Sequence, residues 1–186
     1  MTILTHRFKR AVAFCLTLML APAAGLAQDQ TLDEMYDELR DPETGDWERV
    51  EERIWKEWSR SGSPAMDLLL ERGREALEAG DSDAAIEHLT ALTDHAPDFA
   101  EGWNARATAY FQAEMYGPAL SDIEMTLALN PRHFGAMAGL AMILEHLDYP
   151  DDALSAYRAL LAIHPHRPNV REAVERLEAE LAGATL

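Results

Sequence analysis

The stretch that decides the fold runs from Ala100 to His133, AEGWNARATAYFQAEMYGPALSDIEMTLALNPRH, and is 34 residues long. Within it Trp103, Ala107 and Tyr110 recur at i, i+4 and i+7, which places their side chains on one face of a helix. Apolar residues resume after a Gly-Pro pair and continue to Leu129, as expected for a second helix. The stretch therefore predicts a helical hairpin.

Local signals predict where these two helices begin and end. Asp98 followed by Glu101 has the spacing of a capping box, which would start the first helix. We expect Gly117 to adopt a left-handed conformation that ends this helix. Pro118 suits the first turn of the second helix, because its fixed φ is helical and it needs no hydrogen-bond donor there.

The same pattern recurs on both sides of this stretch at an interval of 34 residues. Seven columns keep their chemical type, with small residues where helices approach closely and large apolar residues elsewhere. These columns are Pro97, Pro131 and Pro165; Ala85, Ala119 and Ala153; Gly73, Ala107 and Ala141; Leu69, Trp103 and Met137; Ala76, Tyr110 and Leu144; Ile86, Leu120 and Leu154; and Leu89, Ile123 and Tyr157. A single hairpin cannot bury its own apolar face, so neighbouring units must stack.

The period and the columns resemble the tetratricopeptide repeat (TPR), a helix-turn-helix unit of about 34 residues. This resemblance implies an all-α fold, a right-handed α-solenoid with repeats at 66–99, 100–133 and 134–167. It also implies a non-enzymatic protein-protein interaction module, an adaptor or scaffold whose partner is a client peptide or protein.

In proteins with this repeat, the inner faces of the first helices line a concave, peptide-binding groove. Carried across by repeat position, the groove residues here are Leu70, Arg74, Leu77, Asn104, Thr108, Phe111, Ala138, Met142 and Glu145. The form of the groove that holds a terminal carboxylate uses lysine, asparagine and arginine, but this sequence offers only Arg74 and Asn104 at those places. We therefore expect a mixed apolar groove with pockets at Leu70, Phe111 and Met142. The alternative for any one position is packing between repeats.

Residues 28–63 are predicted to form an N-terminal helical hairpin. Thr31 and Glu34 have capping-box spacing, and a second amphipathic helix carries Trp47, Trp55 and Trp58. The tryptophans have two interpretations. They could cover the apolar edge of the first repeat, since terminal repeats are atypical. Alternatively, they could form a partner surface through which a structural or assembly subunit docks into an envelope complex, since tryptophan is a common interface anchor.

Residues 168–186 are predicted to form a C-terminal capping helix that begins with Asn169 and Glu172. The apolar residues of this segment fall on one stripe, and charged residues occupy the other faces. The apolar stripe consists of Val170, Val174, Leu177 and Leu181. Such arrays need a terminal helix with a polar outer face.

Residues 1–27 are typical of a cleaved signal peptide. Arg7, Lys9 and Arg10 precede a short apolar run, and Ala27 offers a small-residue cleavage site. The run is shorter than the roughly 20 residues that span a bilayer. We therefore expect export by the general secretory route, a periplasmic or secreted location, and no stable membrane insertion after cleavage.

The charge and composition limit the remaining functions. The formal net charge is −17, and removal of residues 1–27, which hold three basic and no acidic residues, would make it −20 and remove the only cysteine. Such acidity disfavours nucleic acids and anionic membrane surfaces as partners. We find no phosphate loop or nucleophile motif. His164 and His166 lack a third ligand at a suitable spacing, so we predict no catalytic site, no metal site and no cofactor.

Overall fold

The computed structural model describes residues 30–41 and 43–184. In these ranges the chain forms helices and turns without strands. The helices are α1 Leu32–Arg40, α2 Trp47–Trp58, α3 Pro64–Glu78, α4 Ser82–His95, α5 Ala100–Gln112, α6 Tyr116–Leu129, α7 Phe134–His146, α8 Pro150–Ile163 and α9 Pro168–Ala184. The predicted signal peptide, residues 1–27, lies outside the described residues.

Three helical hairpins form the repeat array, and this confirms the predicted right-handed α-solenoid. They are α3 with α4, α5 with α6, and α7 with α8. Ala85, Ala119 and Ala153, one from each second helix, are all 0% exposed. A Cβ added at Gly73 would lie only 2.5 Å from the side chain of Leu89. Small residues are therefore needed at the repeat position of Gly73, where the two helices of a hairpin approach closely.

The turns inside the three hairpins share one backbone conformation. Gly80, Glu114 and Asp148 have φ values of +75°, +58° and +64° and stand at the 34-residue interval. Gly117 was therefore the wrong choice for the left-handed residue. It lies inside α6, which begins at Tyr116, and the left-handed position is taken by Glu114.

The two predicted capping boxes have different outcomes. Thr31 and Glu34 form theirs, with the amide of Thr31 2.7 Å from a carboxylate oxygen of Glu34. The second prediction was wrong, because α5 has Phe99 at its N-cap without a side-chain hydrogen bond. Glu101 turns into the protein instead and is 2% exposed.

The N-terminal hairpin, α1 and α2, packs against the third repeat. Its buried residues Tyr36, Ile54 and Trp58 join one apolar cluster with Phe134 and Leu160. Of the two interpretations of the tryptophans, the one in which they cover the edge of the first repeat is therefore wrong. The amphipathic pattern of α2 required a buried face but did not specify which surface would bury it.

The last helix, α9, also packs on the third repeat, where its buried residues join the same apolar cluster as those of the hairpin. It begins at Pro168 and packs on α8, so the prediction that Asn169 caps this helix was wrong, because Asn169 lies inside it. Val170 and Leu177 are 3% and 2% exposed, as expected for the predicted apolar stripe. Within the two described ranges, no helix has both the length and the apolar content needed to cross a membrane.

Candidate functional site

The first helices of the repeats form a concave face, and Trp55 divides it into two cavities. The first cavity, about 420 Å³, lies mainly against α5 and α7. The second, about 540 Å³, lies against α3 and α5 and is bounded by the far side of α2. Asn104 and Thr108 of α5 line both cavities, so the central repeat forms their common floor.

The structure brings seven of the nine predicted groove residues to these cavities. The first cavity is lined by Asn104, Thr108, Phe111, Ala138 and Met142, and the second by Arg74, Leu77, Asn104 and Thr108. Met142 is 47% exposed although it is apolar. Exposed apolar surface inside a concavity is typical of a ligand-binding groove.

Leu70 and Glu145 do not belong to this groove, which corrects the prediction. Leu70 is 2% exposed and is buried in an apolar cluster with Leu89 and Ala105. The carboxylate of Glu145 accepts a hydrogen bond of 2.8 Å from the hydroxyl of Tyr157 and also pairs with Arg176 of α9. Burial and this hydrogen bond raise the pKa of Tyr157 above its usual range.

The buried carboxylate of Glu101, which the sequence analysis did not identify as a groove residue, holds several polar side chains in place beneath the two cavities. The side chain of Glu101 pairs with the guanidinium of Arg74 and lies 2.8 Å from Nε2 of His133. Nδ1 of His133 accepts a hydrogen bond from the amide of Ala136, so Nε2 carries the proton and donates to Glu101. The amide nitrogen of Asn104 also donates to Glu101, at 3.2 Å. Asn104 is therefore partly engaged before any ligand binds.

Trp55 occupies a position on the concave face that only a glycine permits. A Cβ added to Gly135 would lie 2.5 Å from the Trp55 ring. The ring also makes edge contacts with Phe134 and His133, with 5.6 Å between centroids in both pairs. Trp58 stacks on His133 at 4.0 Å with an interplanar angle of 20°. The hairpin thus places two tryptophans at the start of α7.

A set of polar contacts holds α2 at the far end of the third repeat. The carboxylate of Glu51 lies 2.9 Å from Nε2 of His164 and 3.2 Å from the guanidinium of Arg167. Burial tends to raise the pKa of Glu51, but the hydrogen bond from His164 and the charge of Arg167 outweigh it, so the pKa is lowered. Trp47 stacks against His166 with 6.3 Å between centroids.

Helix α1 adds a second set of contacts. Asp33 pairs with Arg132, whose guanidinium lies 4.0 Å from the centre of the Tyr36 ring. The Tyr36 hydroxyl also donates to the backbone carbonyl of Arg132, at 3.4 Å. Trp47, Trp55 and Trp58 therefore pack on the protein's own third repeat, and the hairpin is anchored on both sides of them.

The site has the chemistry of a binding surface. Across residues 30–41 and 43–184 there is no group of three or more His, Cys, Asp or Glu side chains placed to hold a metal ion. Its titratable groups, among them Glu101 and Glu51, are engaged in ion pairs and hydrogen bonds. What the concave face offers a ligand is apolar surface with a few hydrogen-bonding groups.

Comparison with known proteins identifies the family. The tetratricopeptide repeat family model matches residues 70–120 and 116–168. A TPR repeat-containing protein of Rhizobium etli is 36% identical over 163 residues, which cover 86% of this chain and 79% of that protein. The small glutamine-rich tetratricopeptide repeat-containing protein 2 of Saccharomyces cerevisiae is 29% identical over 131 residues, 70% of this chain but only 37% of that protein.

Solved structures show the same fold. The first TPR domain of Spaghetti (RPAP3), bound to the HSP90 peptide SRMEEVD, superposes with a TM-score of 0.62 at 25% identity and covers 64% of this chain and 95% of that one. The Sgt2 TPR domain from Aspergillus fumigatus gives a TM-score of 0.61 at 20% identity, covering 66% and 83%. The repeat period, the stacked hairpins and these similarities agree that the chain belongs to the tetratricopeptide repeat family, whose fold is a scaffold for protein interactions.

Proposed function

We propose that this protein is an exported, non-enzymatic adaptor that binds a client peptide or protein on its concave face. The observation that carries the proposal is the first cavity, where Phe111 and Met142 present apolar surface to an open concavity of about 420 Å³. Similarity to a TPR domain bound to an HSP90 peptide supports peptide binding as the mode of action. The groove lacks the lysine with which related grooves hold a terminal carboxylate. This favours a client that is recognised by its side chains over one that is held by its terminal carboxylate.

Paired substitutions test this proposal. Phe111→Ala with Met142→Glu removes apolar contacts and places a charge in the first cavity. The expected loss of client affinity is about 2–4 kcal/mol, the size of a hot-spot change. The matched control is Met125→Glu, because Met125 is also an exposed methionine, 39% exposed, but belongs to the second helix of its repeat and lines neither cavity.

The assay is in-cell cross-linking followed by capture and mass spectrometry, with each variant first checked for native helical content by circular dichroism. A client retained by the wild type and by Met125→Glu, but lost by the cavity variant, supports the proposal. Equal retention by all three proteins would contradict binding on the concave face.

Export forms a separate part of the proposal. It rests on the basic residues, the apolar run and the Ala27 cleavage site of residues 1–27. The mature chain is expected to begin at or near Gln28 and to be recovered outside the cytoplasm. N-terminal sequencing of the protein from its native compartment measures this directly, and an intact Met1 in a membrane fraction would contradict it.

The alternative is a structural or assembly subunit that docks through Trp47, Trp55 and Trp58. In the structure these side chains pack on the third repeat, so this function would require the hairpin to leave the array. Trp55→Ala with Trp58→Ala distinguishes the two functions in the same capture assay. Loss of partners by this variant alone would favour the alternative.

A further inference from the structure

The concave face of this protein already holds a helix, which is its own α2. Trp55 projects onto the face between α5 and α7, and Trp58 stacks on His133 at the end of the inter-repeat turn. The amphipathic helix of a client would meet the same surface. The side chains with which α2 contacts this surface therefore indicate which side chains a client helix would need.

Three residues of α2 make its polar and aromatic contacts with the turns of the array, and their spacing is regular, while Val50 and Ile54 of the same helix pack in the apolar cluster. Glu51, Trp55 and Trp58 stand at i, i+4 and i+7, which places them on one helical face. The carboxylate of Glu51 binds Arg167 and His164, which lie in the turn before α9.

Each of the three contacts is matched by a feature of the array. Gly135 leaves the space that the Trp55 ring occupies, since any Cβ there would collide with the ring. His133 is 0% exposed and is held in the plane that stacks on Trp58 by its hydrogen bonds to Glu101 and Ala136. Arg167 supplies the cation at the edge of the first cavity.

We propose that the concave face recognises an amphipathic client helix with a carboxylate at position i and large aromatic side chains at i+4 and i+7, and that α2 is its built-in competitor. This inference rests on the proposed function and names the client chemistry for the same face. A client binds by displacing α2 from Gly135 and His133 and by taking over the ion pair with Arg167.

The hairpin is well suited to such competition, because a short segment joins it to the array. Only residues 59–63 separate α2 from α3. A segment of this kind keeps α2 at an effective concentration of about 1 mM near its site. A free helix of equal intrinsic affinity must therefore bind the intact protein much more weakly than it binds a protein whose α2 has been disabled.

The test uses a fluorescent synthetic peptide of residues 46–60, DWERVEERIWKEWSR, as the probe. A released variant carries Glu51→Gln, Trp55→Ala and Trp58→Ala in the full chain. The matched control protein carries Glu48→Gln and Arg49→Ala, two exposed positions of the same helix. Fluorescence anisotropy measures the Kd of the peptide for each protein, and circular dichroism verifies helical content.

The expected result is binding to the released variant at least tenfold tighter than to the wild type or the control protein, in line with the effective concentration of the tethered helix. A peptide with alanine in place of Trp55 and Trp58 should not bind. No binding of the native peptide to a released variant with native helical content would overturn the proposal. Equal binding of the alanine peptide would overturn it as well.

A milder variant covers the case in which the released variant does not fold. Glu51→Gln alone keeps Trp55 and Trp58 and weakens the contacts of the carboxylate, which are the ion pair with Arg167 and the hydrogen bonds with His164 and Trp55. It should bind the peptide several-fold more tightly than the wild type does, and an unchanged Kd would overturn the proposal. The peptide measurement is independent of the capture assay. If the peptide binds as expected but the cavity variant still captures the client, the proposed function is contradicted and this inference is not.

Discussion

Removing the carboxylate of Asp122 should be among the most damaging single changes in the array. Asp122 on α6 accepts two hydrogen bonds from Arg106 on α5, with distances of 2.7 Å to Nε and 2.9 Å to Nη2. Nη1 of the same guanidinium donates to the hydroxyl of Thr93 on α4, at 2.7 Å. Helices α4, α5 and α6, which belong to two adjacent repeats, are therefore joined at one buried ion pair.

The expected loss of stability follows from the burial of the two charged side chains. The side chains of Arg106 and Asp122 are only 12% and 6% exposed, and the hydrogen bonds to Asp122 raise the pKa of Arg106, so the guanidinium stays charged. Asp122→Ala would leave that charge buried without its partner, at a cost of about 3–5 kcal/mol. For a chain of this length each kcal/mol lowers the Tm by about 2–4 °C, so a fall of roughly 6–20 °C is expected.

Thermal unfolding followed by circular dichroism at the helical band measures the change, and urea unfolding gives the free energy. The control is the double variant Arg106→Met with Asp122→Leu, which removes both charges and keeps apolar volume. Replacing a buried pair in this way is often neutral or stabilising, so the double variant should be more stable than Asp122→Ala. A fall in Tm below about 3 °C for Asp122→Ala would refute the reasoning, because the ion pair would then contribute no more than a solvent-exposed one.

Three further predictions concern packing, backbone strain and pH. Ala119→Leu should cost about 1–3 kcal/mol through overpacking, whereas the exposed change Glu175→Gln should stay within about 0.5 kcal/mol; similar melting temperatures would contradict the repeat alignment. Glu114→Gly should raise the free energy of unfolding by about 0.5–1 kcal/mol, because glycine relieves the positive φ at some entropic cost; a lower Tm would contradict this. The lowered pKa values of Glu51 and Glu38 mean that their stabilisation is present above the unfolded pKa near about 4.3 and is lost as pH falls through the folded values. The near-UV circular dichroism of the hairpin tryptophans should therefore weaken below about pH 4, and an unchanged signal would refute this prediction.

Local chemistry explains why some features could be predicted from sequence. Helix ends depend on residues close together in the chain, so Pro118 was correctly expected in the first turn of the second helix of its repeat, which begins at Tyr116. The capping box of α1 is likewise local. The left-handed residue of the turn was missed because only one of the three equivalent positions is a glycine, Gly80. The residue types at these positions therefore do not reveal that all three share a positive φ.

The 34-residue period by itself determined the solenoid, since stacked hairpins are the only way for these repeats to bury their apolar faces. Only the tertiary structure decided where the hairpin lies, because an amphipathic helix such as α2 can bury its apolar face against any matching surface. The same holds for Arg106 with Asp122 and for Glu101 with His133, which are 16 and 32 residues apart. Pairing between distant charges depends on how helices cross in space, and no local pattern in the chain records that geometry.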